Sequence, residues 1–162
     1  MGYRFPNGNI RAEDYRLLAD AGYEFDASVF PSWRPGKFNN TGAATTPNYI
    51  PVDNLFEIPF TVYSDRLRIP TALSHCQVLG RPYWWVLSRW PPSVVVLNIH
   101  MHDLVTPSTI RELPARYRAL YSRNVDGLSL LDVLIGAFQH QGYAFETLDV
   151  VHETLREDVV NQ

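Results

Sequence analysis

Apolar and polar positions recur with two different periods along this chain, and each change of period marks an element. In RAEDYRLLADAG, Tyr15, Leu18 and Ala21, with Leu17 beside them, fall at helical spacing and Gly22 supplies the stop, which predicts a helix capped by Asn9. The following YEFDASVF alternates aromatic and polar residues and predicts a short strand leaving that helix. The pattern returns in LSLLDVLIGAFQHQGYAFETL: Ser129 and Asp132 have capping-box spacing, an apolar run follows, Gly142 ends it, and a second strand is expected. Both units read as helix, Gly-Tyr-x-Phe, strand. Repeated helix-to-strand units with short connections argue for an α/β architecture with a mainly parallel sheet.

Between them the periods fade. The stretch Pro31–Asn54 holds four prolines and two glycines and sustains no period, so it reads as a long loop. LFEIPFTVY then predicts one strand, and LRIPTALSHCQVLG a short helix started by Pro70. In SVVVLNIHMHDL the apolar residues around Asn98 predict a buried strand that runs out into His100, Met101, His102 and Asp103. Titratable residues at the C-terminal end of such a strand lie where α/β sheets and barrels place their chemistry.

Composition narrows the classes of function. A chain of 162 residues that is 46% hydrophobic is long and apolar enough for one domain with a real core. Lys and Arg number 14 against 17 Asp and Glu, and the basic residues are scattered, which argues against nucleic acid as a partner. No stretch approaches the roughly 18 apolar residues of a membrane span, and the start lacks a signal pattern, so a cytoplasmic location is the default expectation. The single Cys76 excludes an internal disulfide and any multi-cysteine zinc site.

In order along the chain, GYRFPNG, a helix ending in glycine, YEFDASVFP, EIP and an apolar strand ending IHMHDL resemble the NodB-type polysaccharide deacetylase domain. That carbohydrate esterase family removes N- or O-acetyl groups with a bound divalent metal, zinc among them. The resemblance spans almost the whole chain and implies a distorted (β/α) barrel with its site at the C-terminal ends of the strands. It assigns Arg4 to the arginine of Arg-x-Pro, which holds the catalytic aspartate that activates a metal-bound water. The backbone N–H of Asn7, just after Pro6, helps bind the oxyanion, and His100 protonates the leaving group. Pro6, Trp84 and Trp85 are the expected substrate contacts. Amide hydrolysis needs an activated water, a stabilised oxyanion and an acid for the departing amine, so these residue types suit the chemistry.

The resemblance also implies an aspartate pair and a His-x-x-x-His ahead of Arg-x-Pro. Only three residues precede Arg4, and neither pattern occurs anywhere in the chain. The expectation is therefore the C-terminal part of a single deacetylase domain over residues 1–162: an incomplete (β/α) barrel, its early strands missing, with an open sheet edge beside GYRFP and no metal ligands of its own. Two functions follow. One is metal-dependent hydrolysis of a carbon–nitrogen bond other than a peptide bond in an acetylated sugar or polysaccharide. The other is a non-catalytic or partner-dependent carbohydrate-binding module of the same fold.

Each candidate has a structural alternative. Arg4 reads equally as a solvated terminal arginine, and His100 as a core histidine satisfied by a carbonyl. His102 and Asp103 read as rim polarity, as a pair tuning His100 or as metal ligands. His75, His140 and His152 read as surface residues, and Asp26 as a structural residue at a strand end. Trp84, Trp85 and Trp90 fit sugar stacking or packing under the long loop, and Cys76 fits a small buried side chain.

Overall fold

The first helix forms where its period predicts it, as α1 over Ala12–Asp20. Its cap is Arg11, whose N–H donates to the Asp14 carboxylate at 2.8 Å; Asn9 lies outside the described residues. The computed structural model describes residues 1–8, 10–34, 36–105, 108–115, 118 and 126–160. These fall into two compact units, one of Met1–Pro70 with Phe145–Gln162 and one of Thr71–Ala144.

In the first unit Gly22, at φ +83°, turns the chain out of α1 and into the sheet. That sheet has the order β1 (Gly2–Tyr3), β2 (Phe25–Asp26), β6 (Leu55–Glu57), β5 (Asn48–Ile50). The first three strands are parallel and β5 pairs antiparallel to β6, with β1 at one edge. Gly2 is required there, because a Cβ on it would fall 2.0 Å from the Phe25 ring. The rest of the long loop is not structureless: β3 (Trp33–Arg34) and β4 (Phe38–Asn39) form an antiparallel hairpin.

Strands here are shorter than the sequence predicts. YEFDASVF contributes only two paired residues, although the chain stays buried through Val29. LFEIPFTVY breaks into β6 and β7 (Val62–Tyr63), with Pro59, which lacks an N–H for a ladder, between them. Pro70 does not start a helix. It lies in β8 (Ile69–Pro70), opposite Val62 in a two-stranded ladder where an edge proline is tolerated.

The C-terminal helix α6 (Leu148–Val160) belongs to the same unit. His152 is not a surface residue: it is 5% exposed, with its ring 5.2 Å from that of Phe25 and 5.1 Å from that of Phe56. Burial lowers its pKa, so the imidazole is neutral where it packs.

The second unit is helical: α2 (Leu73–Leu79), α3 (Arg81–Arg89), α4 (Met101–Leu104) and α5 (Gly127–His140). Leu73, Cys76, Leu87, Leu134 and Phe138 form its core. Asp126, rather than Ser129, caps α5, accepting from the Ser129 N–H at 3.2 Å and from its hydroxyl. A Cβ on Gly127 would stand 1.8 Å from the Asp103 carbonyl oxygen, so glycine is what lets α5 start against α4.

Two expected strands do not form. Among the described residues, 94–99 make one parallel bridge, Asn98 to Ala72, and they are half-buried or exposed rather than core. An apolar run becomes a buried strand only with paired neighbours on both sides, and one bridge does not supply them. After Gly142 the chain enters no strand but proceeds irregularly to α6.

The chain is thus a mixed α/β protein whose described sheets have four, two and two strands, none closed into a barrel. Among the described residues, no helix is long and apolar enough to cross a membrane.

Candidate functional site

Neighbouring strand ends of the first unit gather its polar chemistry. Tyr3 pairs with Asp26 and Asp26 with Glu57, so the two carboxyl groups stand at one level on adjacent parallel strands, and Arg4 directly follows β1. Asp26 is 0% exposed and Glu57 4%. A lone ionised carboxylate is costly in such a place, and two side by side are more so.

The surroundings show how the cost is met. The Ser28 hydroxyl donates to Asp26 Oδ1 at 2.6 Å and the Ser28 N–H to Oδ2 at 2.7 Å. The Tyr15 hydroxyl, brought in from α1, donates to Glu57 Oε2 at 2.9 Å, and the Val29 N–H reaches Oε1 at 3.4 Å. Burial, reinforced by the Asp26 charge, pushes the Glu57 pKa up to about 9. Burial raises the Asp26 pKa too, but hydrogen bonds from Ser28 and the Arg4 charge oppose it. At neutral pH Glu57 therefore keeps its proton. The Tyr15 hydroxyl is held protonated by burial and by Glu57.

Arg4 is fixed from two sides. Its Nε–H donates to the Ala27 carbonyl at 2.9 Å, and the guanidinium carbon lies 4.2 Å from the centre of the Phe60 ring, in cation–π geometry. The residue is exposed, yet this face is desolvated enough to lower its pKa, against the opposing charges of Asp26 and Glu57. Its backbone is tied to the carboxyl pair as well, since the Phe5 N–H donates to Ser28 Oγ at 2.7 Å.

Pro6 and Asn7 lie in a 3-10 turn, Pro6–Gly8, with Pro6 exposed. Gly8 has φ +65°, and a Cβ on it would stand 2.7 Å from the Ser28 carbonyl oxygen and 2.6 Å from the Phe30 ring. Glycine is what allows the Arg-x-Pro turn to press onto the end of β2.

The other sequence candidates belong to the second unit. His100 does not end a strand of the sheet: it is the exposed residue preceding α4, its N–H donating to Asp103 Oδ2 at 2.8 Å. Its Nε2 lies 3.2 Å from Asn98 Nδ2, and its ring stacks on His102 at 5.0 Å. Asp103 is buried beneath, with Oδ1 3.6 Å from His102 Nε2. Trp84 is half-buried and lines a cavity of about 330 Å³ with Gln77, Arg81, Leu130 and Val133. Trp85 is exposed and meets Trp90 edge-on at 5.5 Å.

Glu57, Ser28 and Tyr15 join Arg4 and Asp26 without having stood out in the sequence as chemistry. One signal was available for Glu57: a glutamate enclosed by Leu55, Phe56 and Ile58 is a polar residue in a run that must be buried on both faces. No group of three or more His, Cys, Asp or Glu side chains among the described residues could hold a metal ion. The divalent metal implied by the resemblance finds no ligand set among those residues. No family model, curated protein or solved structure matches this chain.

Proposed function

We propose that this chain carries the arginine-bearing wall of a metal-dependent deacetylase site of the NodB polysaccharide deacetylase type, acting on an acetylated sugar or polysaccharide. The observation that supports it is Arg4, held at the end of β1 beside the buried Asp26–Glu57 pair at the ends of the adjoining parallel strands. An active-site guanidinium must be oriented and kept charged, and a carbonyl, a ring face and a nearby carboxylate do both. In this reading Arg4 orients the carboxylate base, the N–H of Asn7 binds the oxyanion and Pro6 contacts the sugar.

The test is acetate release from an N-acetylated chito-oligosaccharide with added zinc. Arg4→Ala should lower kcat by at least about 10²-fold with little change in thermal stability. Wild-type turnover in this variant overturns the reading. Sugar binding without acetate release supports a carbohydrate-binding module instead.

A further inference from the structure

The carboxyl pair does something that Arg4 and Asp26 alone could not. We propose that Glu57 is a positioning residue that shares one proton with Asp26, so that the pair meets Arg4 as a single negative charge. The inference concerns the charge state of the site; its bearing on catalysis rests on the deacetylase reading above.

The geometry carries the argument. Asp26 and Glu57 are cross-strand partners on parallel strands, and both are buried. Two ionised carboxylates at one strand level, shut away from water, repel each other, so one of them keeps its proton. Asp26 accepts from Ser28 at 2.6 and 2.7 Å, whereas the bonds that reach Glu57 from Tyr15 and Val29 are longer, 2.9 and 3.4 Å, which marks Asp26 as the ionised member. The shared proton therefore sits on Glu57.

The groups facing Glu57 are consistent with this assignment. From α1 comes the neutral Tyr15 hydroxyl, from β2 Asp26, from the segment after β2 the Val29 N–H, and from the end of β1 the Arg4 charge. On its other side Glu57 pairs with Asn48 of β5, which is uncharged. With one proton in the pair, Asp26 and Arg4 balance; with none, a second negative charge is added at the same strand level, and both Asp26 and the Arg4 guanidinium feel it. The Phe5 N–H to Ser28 to Asp26 chain carries any displacement to the Arg-x-Pro turn.

The experiment is an NMR titration of the protein labelled with 13C at the carboxyl carbons and 15N at arginine. Glu57 should titrate with a midpoint near pH 9, and the Arg4 Nε signal should move with the same midpoint. Glu57→Gln stays neutral, so the Arg4 signal should then be flat across that range. A Glu57 midpoint in the ordinary range, between about pH 4 and 5, overturns the proposal, as does an Arg4 signal in wild type that ignores the Glu57 titration. If Glu57→Gln does not fold, Asp26→Asn serves: removing the neighbouring charge should bring the Glu57 midpoint down, and an unchanged midpoint counts against proton sharing. The readout needs no turnover, so a chain that releases no acetate yet titrates in this way strikes the deacetylase reading alone.

Discussion

Two stretches of this chain carry the same local instruction and end differently. Gly22-Tyr23-Glu24-Phe25 and Gly142-Tyr143-Ala144-Phe145 each follow an amphipathic helix, and each glycine has positive φ, +83° and +82°. The first leads into a strand whose Phe25 is 3% exposed; the second leads into no strand and leaves Phe145 54% exposed. Helix exit is thus written locally, in the glycine and in the tyrosine N–H that returns to the helix, Tyr23 to Leu18 and Tyr143 to Phe138, both at 3.0 Å. Strand formation is not. Phe25 becomes β-structure because Gly2 and Phe56 stand ready on either side of it.

That contrast can be broken most forcefully at the two phenylalanines. Phe25→Ala should cost about 3–5 kcal/mol in urea unfolding, the usual size for a buried aromatic, while Phe145→Ala should stay within about 0.5 kcal/mol. Similar costs at both positions would mean that the second exit is packed after all.

A smaller effect separates the carboxylates behind the two exits. Because the Glu57 pKa is raised from 4.5 to about 9, the folded chain holds a proton there that the unfolded chain releases. Its contribution to stability is complete below about pH 4.5 and is lost as pH rises towards 9, and the raised Asp26 pKa acts in the same sense. The slope is at most about 1.4 kcal/mol per pH unit, or at most about 3 kcal/mol between pH 6 and 8. Thermal melts of the wild type should therefore fall in Tm across that range. The fall should flatten in Glu57→Gln and persist in Glu146→Gln, whose side chain is exposed.

The smallest effect should be shared. Neither Gly22 nor Gly142 has any atom within 4 Å of an added Cβ, so alanine at either position meets only the backbone cost of positive φ, about 1–2 kcal/mol. Equal losses would show that the two turns are the same device. A much larger loss at Gly22 would mean that its turn is coupled to the sheet.

What could be read from the sequence divides along the same line. Helices α1 and α5 were legible because period and stop signal lie within one stretch. The strands were over-read wherever apolar character was taken for pairing: residues 94–99 have the composition of a core strand, but among the described residues their one β-bridge is Asn98 to Ala72. Arg4 was found through its motif. Glu57 was missed because its partner is 31 positions away, and only the register of two strands makes a carboxyl pair of two separately ordinary acids. His152 was misjudged for the same reason, since nothing in the sequence around it announces Phe25 and Phe56.

The one thiol of the chain gives its second unit a clock. Cys76 is 0% exposed, and burial pushes its pKa up to about 12, so in the closed unit it is neither reachable nor nucleophilic. A disulfide reagent can label it only in molecules whose α2 core has opened, and the labelling rate, divided by that of the unfolded chain, gives the equilibrium constant for opening when reclosing is fast. The first unit has no cysteine and stays silent in that assay. A bulk melt sees both units together, whereas the thiol times one of them alone.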